Sequence, residues 1–140
     1  MKSIRSRGNR STETRLASMM RSAGIRGWRR HRRVAGSVPD FAFPHLRLVI
    51  FVDGCFWHGC PLHSHAPSSN TGYWIPKLAG NRARDRDATS RLRRAGWRVI
   101  RLWEHDLGEG RRPIRRIKAA LAACARDRFR FSLPKIILGR

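Results

Sequence analysis

Leu46-Arg47-Leu48-Val49-Ile50-Phe51-Val52-Asp53-Gly54 contains the most apolar run in the chain. It has the length of a strand and is rich in β-branched residues, which makes it the expected central strand, with Asp53-Gly54 delivered at its C-terminal end. Just upstream, Asp40-Phe41-Ala42-Phe43 lies between Pro39 and Pro44 and reads as a short strand, hairpin-paired with the first. Downstream, residues 97–103 alternate only weakly, yet their length and their Trp, Val and Ile content fit a third strand. Helical patterns surround these segments. Ser11 is positioned to cap a first helix with Glu13 in its first turn, Leu16, Met19, Met20 and Ala23 form its apolar stripe, and Gly24 stops it. A helical region begins at Trp74, has its main helix over 81–95 and is closed by Gly96, and a last helix spans 114–125. With 28–34 basic and extended, this order predicts an α/β protein whose central mixed β-sheet is flanked by helices.

At 140 residues a single domain spanning 1–140 is expected, with a basic N-terminal arm over 1–10 and an extended C-terminal tail over 129–140. The composition is 41% hydrophobic, which is that of a folded chain, so the charge is carried on a fold. That charge is large: 31 Lys and Arg against 9 Asp and Glu give +22, and Lys2, Lys77, Lys118 and Lys135 are the only lysines. Nucleic acid is the expected partner, because its phosphates release counterions when cations neutralise them, and Arg suits bidentate phosphate contacts. No apolar run is long enough for a membrane span and no signal peptide is evident, so a cytoplasmic protein with no membrane partner is expected. Three Cys in that setting point to thiols or metal ligation rather than a disulfide framework.

Two constellations carry chemistry. The hairpin would bring the carboxylates of Asp40 and Asp53 to one edge of the sheet, where oxygen ligands suit a hard divalent cation of the kind used in phosphodiester cleavage. Asp beside Pro or Gly is also a common turn residue, but few acids exist in this chain. Cys55, Cys60 and His63 have C-x4-C-x2-H spacing, and His105 follows the third strand, a donor set suited to tetrahedral zinc. Residues 54–72 form a long aperiodic loop that such an ion would hold, with His58 and His65 as competing ligands. Phe56-Trp57 lies inside this loop, where it serves either as a wedge entering a base stack or as packing onto the sheet. Cys124 sits on a helical stripe and reads as core.

Taken together, Glu13-Thr14-Arg15-Leu16, Pro39-Asp40-Phe41, the block Val49 through Cys60 with its Gly-Cys-Phe-Trp-His, Tyr73-Trp74, Asn81-Arg82-Ala83-Arg84-Asp85-Arg86-Asp87 and Gly96-Trp97-Arg98-Val99 through Trp103-Glu104 resemble the very short patch repair endonucleases. Those bacterial enzymes nick DNA at T·G mismatches left by deamination of 5-methylcytosine, and the resemblance runs from about residue 3 to residue 107. It implies a restriction-endonuclease-like core, a structural Zn2+ and Mg2+-dependent hydrolysis of one strand of a mismatch-containing double-stranded DNA. By resemblance Asp40 binds Mg2+ with the carbonyl of Val52, Glu13 supports that site through its water shell, and His58 acts as general base. Phe56, Trp57 and Trp74 would enter the duplex, Arg82 and Arg86 would clamp phosphates, and Cys55, Cys60, His63 and His105 fall on the zinc positions. Where the family has Thr-His this sequence has Val52-Asp53, which assigns Asp53 a different catalytic role, that of a second acidic ligand. The resemblance also implies a monomer, with other mismatch-repair proteins as partners. The competing readings are a nuclease of the same fold with another specificity and a non-catalytic zinc-stabilised DNA-binding protein.

Overall fold

The computed structural model describes residues 7–55, 60–62, 68–108 and 110–132, with side chains from 10 to 130. Helix α1 (Arg7–Ser22) leads into four strands, β1 (Arg29–Arg30), β2 (Phe41–Phe43), β3 (Leu48–Asp53) and β4 (Arg98–Trp103), with α2 (Thr71–Arg94) between the last two. A 3₁₀ turn (Glu104–Gly108) and α3 (Arg112–Ser132) follow. The sheet is mixed, in the order β1-β2-β3-β4: β1 and β2, and β2 and β3, are antiparallel, while β3 and β4 are parallel. A parallel pair needs a crossover, and α2 supplies it.

Period-2 alternation sorts the strand side chains onto two faces. Phe41, Phe43, Leu48, Ile50, Val52, Ile100 and Leu102 share a core with Leu16 and Met20 of α1 and Ile117 and Cys124 of α3. On the opposite face Ala42 and Val49 meet Leu92 of α2, with Phe51, Trp97 and Val99 packed against them. The sheet is thus a middle layer between α1 with α3 and α2. Cys124 is buried in the core, as its helical stripe indicates.

Helix ends follow the glycines. Gly24 (φ 73°) and Gly96 (φ 86°) adopt the left-handed backbone that closes α1 and α2, and the Trp97 N–H returns to the Leu92 carbonyl at 3.0 Å. Other boundaries differ from the sequence reading. The arm is shorter, because α1 begins at Arg7 with a polar turn that carries no periodicity to mark it. Helix α2 starts at Thr71 and runs through Pro76. The expected extended tail is helical as far as Ser132, since nothing between Phe129 and Ser132 breaks the helix before Pro134. The basic stretch over 28–34 forms only the two-residue β1. Among the described residues no helix is long and apolar enough to cross a membrane.

Candidate functional site

Asp40 stands immediately before β2, after the buried Pro39, and its position is determined by register. Phe41 is the last β2 residue paired with β3, opposite Ile50, so the Val52 N–H extends past the end of its strand partner. The Asp40 carboxylate supplies the missing acceptor: its Oδ2 receives that N–H at 2.7 Å. A strand residue turns its N–H and C=O toward the same neighbour, which puts the Val52 carbonyl on the Asp40 side as well.

Glu13 approaches from α1, 5% exposed. Its Oε2 accepts Arg30 Nη2 at 2.9 Å and pairs with His31 Nε2 at 2.7 Å. The oxygen and nitrogen donors of Glu13, His31 and Asp40 lie within 4.8 Å of one another. Burial first, then the hydrogen bond to Glu13 and its negative charge, push the Asp40 carboxyl up to about 7, against the opposing effect of the Val52 N–H. Burial also works against charge on Glu13, but hydrogen bonds from Asp40, Arg30 and His31 outweigh it and hold Glu13 below the usual carboxylate range. Between the two acids, Asp40 is thus the one that holds a proton more readily. Close carboxylates that cannot both ionise comfortably form a site that a divalent cation would complete.

Asp53 does not join this group. Alternation carries it to the α2 face with Phe51, where Arg101 of β4 binds both of its oxygens, Nε to Oδ2 at 2.7 Å and Nη2 to Oδ1 at 2.9 Å. The same guanidinium reaches Asp85 at 3.1 Å and Thr89 at 3.1 Å, one turn apart on α2, and lies 4.4 Å over the Phe51 ring. The sequence reading gives Asp53 the role of a second acidic ligand; here its carboxylate is paired with Arg101, while its charge still contributes to raising Asp40.

The second constellation forms at the same end of the sheet. Asp53 and Trp103 are partners in the parallel β3–β4 register, so Cys55 and His105, each two residues further on, are brought together. Cys55 Sγ lies 3.3 Å and Cys60 Sγ 3.6 Å from His105 Nδ1. Zn–S of about 2.3 Å and Zn–N of about 2.1 Å at tetrahedral angles separate S and N by about 3.6 Å, so the donor set fits a metal of that size. Burial first, and then the neighbouring Cys60, push the Cys55 thiol up, so an ion that binds there must displace protons. The other ring nitrogen of His105 faces Asp106 Oδ1 at 3.7 Å. Phe56, Trp57, His58 and His63 lie outside the described residues.

Trp74 sits half-buried in the first turns of α2, edge-on to Tyr73 at 5.0 Å, and Arg82 and Arg86 are exposed further along that helix. An open groove of about 510 Å³ is lined by Arg86, Arg93, Arg94 and Arg101 with Asp85 and Thr89. A larger cavity of about 1150 Å³ lies at the opposite end of β3 and β4, among Arg47, Arg98 and Arg128, away from both constellations. The sequence reading missed His31, Arg30 and Arg101. Arg30 and His31 are masked inside the run Arg29-Arg30-His31-Arg32-Arg33, where the one available signal was a lone imidazole among guanidiniums.

Residues 1–64 match the family described as DNA mismatch endonuclease Vsr. The chain is 41% identical over 111 residues to the type II nicking enzyme V.XorIIP of Xanthomonas oryzae, covering 78% of this chain and 79% of that protein. The chain belongs to the Vsr family of DNA mismatch endonucleases. Two further relatives are the type II nicking enzyme V.NaeI of Lentzea aerocolonigenes, 42% identical over 106 residues, and the DNA mismatch endonuclease Vsr of Escherichia coli, 38% identical over 110. The matches cover 70% and 74% of this chain, and 64% and 67% of those two proteins. Part of the V.NaeI length thus has no counterpart in the match. Both constellations of this Vsr-family chain lie on its family-like segments, with His31 and His105 joining them from outside.

Proposed function

We propose that the chain is a DNA endonuclease that nicks one strand of a duplex 5′ of the T in a T·G mismatch, by Mg2+-dependent phosphodiester hydrolysis on a restriction-endonuclease-like core. The observation that carries this reading is the Glu13–His31–Asp40 group at the open end of β2 and β3 in a chain of charge +22. Bound Mg2+ would polarise the scissile phosphodiester and stabilise the charge developing on its oxygens. Asp40 and the Val52 carbonyl would hold it, and Glu13 would act through the water shell. Asp40 has to give up its proton to do so, and its carboxyl near 7 lets that happen close to neutral pH. His58 would take the proton of the attacking water, a role that imidazole fits because it titrates near neutrality.

Phe56, Trp57 and Trp74 would offset the unstacking of the mismatched site by stacking of their own, while Arg82 and Arg86 neutralise phosphates. Cys55, Cys60 and His105, with His63, would hold a structural Zn2+ that ties the loop after β3 to the turn after β4. A monomer in the cytoplasm, working with other mismatch-repair proteins, completes the reading. A second reading, a nickase of the same fold with a different recognition site, is favoured by relatives named as type II nicking enzymes.

The deciding experiment compares matched duplexes with and without one T·G mismatch, in Mg2+ and then in EDTA, scored for the strand and position cut. Mg2+-dependent nicking 5′ of the mismatched T supports the first reading. Mismatch-independent nicking moves the assignment to the second, and binding without cleavage in either metal condition refutes both.

A further inference from the structure

His31 is attached to both acids of the candidate metal site. The β1–β2 register ends at Arg30 opposite Phe41, which puts His31 across from Asp40, and the His31 N–H donates to the Asp40 carbonyl at 3.3 Å. Its ring reaches the other way, with Nε2 at 2.7 Å from Glu13 Oε2. Arg30 binds the same oxygen at 2.9 Å, so the two nitrogen groups converge on Oε2.

The backbone at His31 is left-handed, at φ 51°, in a residue that is not glycine. A side chain there is strained, as it is at Ala35, Arg47 and Asn70, and strain of this kind persists where the surroundings enforce it. Core packing does not account for it, because the His31 side chain is 53% exposed. A glycine would relax the backbone and forfeit little buried area, so what the imidazole adds is its contact with Glu13.

We propose that His31 is a positioning residue of the nicking reaction, its ring holding the Glu13 carboxylate so that Glu13 and Asp40 face one divalent cation. The proposal rests on the reading of Asp40 and Glu13 as the metal site. An outer partner that orients a ligating carboxylate typically contributes about 10- to 100-fold to metal affinity or activity.

Two variants separate positioning from a backbone role. His31→Gly permits the left-handed backbone and removes the ring, whereas His31→Gln keeps a nitrogen donor near the Nε2 position on a backbone as strained as the original. Mn2+ binding to the DNA-free protein, followed by electron paramagnetic resonance, and single-turnover nicking are measured with the thermal midpoint. His31→Gly should melt no lower than the unaltered chain, yet bind Mn2+ and nick about 10-fold or more weakly, with His31→Gln recovering most of both. His31→Gly with unchanged Mn2+ binding and nicking would overturn the proposal, and so would a His31→Gln variant as impaired as the glycine. A nitrogen coupling from His31 on the bound Mn2+ would also overturn it, since the ring would then be a ligand. Asp40→Ala is the control: if it binds Mn2+ and nicks normally, the metal-site reading itself fails, whereas its loss of both beside an unaffected His31→Gly removes only the role of His31.

Discussion

Replacing Asp40 by Asn should stabilise the metal-free protein while abolishing cleavage, and the gain should grow with pH. The protonated Asp40 carboxyl and an Asn side chain make the same contacts: an oxygen accepts the Val52 N–H at 2.7 Å and a donor faces Glu13. The folded protein raises Asp40 from 3.8 to about 7, so it binds a proton that the unfolded chain has already released. Stability from this group is therefore fully present below about pH 4 and is lost as pH rises toward about 7. Each pKa unit is worth about 1.4 kcal/mol, which sets a ceiling of about 4 kcal/mol over the whole interval. Glu13 returns part of this, because its own carboxyl is held low by the same hydrogen bond. A net difference of about 2 kcal/mol between pH 5 and pH 8 is expected, equivalent to several degrees in thermal midpoint for a domain of this size. The assay is thermal unfolding of both proteins across that range in EDTA, repeated with Mg2+. The difference between the two proteins cancels the titration of groups that do not interact with Asp40. Mg2+ should raise the midpoint of the unaltered protein and leave the variant unchanged. A variant less stable than the unaltered protein at pH 8, or a difference that does not change with pH, would refute this account of Asp40.

Two further outcomes follow from the geometry. If the Cys55–Cys60–His105 group holds zinc as proposed, Cys60→Ser should purify with less zinc than the unaltered chain and with a thermal midpoint several degrees lower; a variant with equal zinc content and an unchanged midpoint would remove Cys60 from the metal set. Arg101→Met should cost about 3 kcal/mol in chemical denaturation, because it strands the buried Asp53 carboxylate, and a cost under about 0.5 kcal/mol would mean that Asp53 is solvated.

Much of the architecture was legible in residue pattern. The apolar run of β3, the glycines that end α1 and α2 and the stripe of α3 all depend on neighbours in the chain, and backbone and solvent act on them locally. The Cys55 and Cys60 spacing was legible for the same reason, while pairing these thiols with His105 required the third strand to run parallel beside β3. Boundaries were read less well where polar turns extend a helix, as at Arg7 and Phe129, because an exposed turn leaves no periodic mark.

The charge of the chain pointed to a polyanionic nucleic-acid partner, the scarcity of acids drew attention to Asp40 and Asp53, and Glu13 entered through its motif. Which partner each acid takes was decided by the tertiary structure alone. Strand alternation sends Asp53 to the α2 face, and Arg101, 48 residues away, binds it there. Glu13 meets His31 18 residues along, through a helix packed on a sheet and a register that ends opposite Asp40. In an arginine-rich chain every carboxylate has many potential partners of equal chemistry, so composition cannot choose among them. Only packing, which brings one guanidinium or one imidazole within about 3 Å and excludes the water that would screen it, makes the choice.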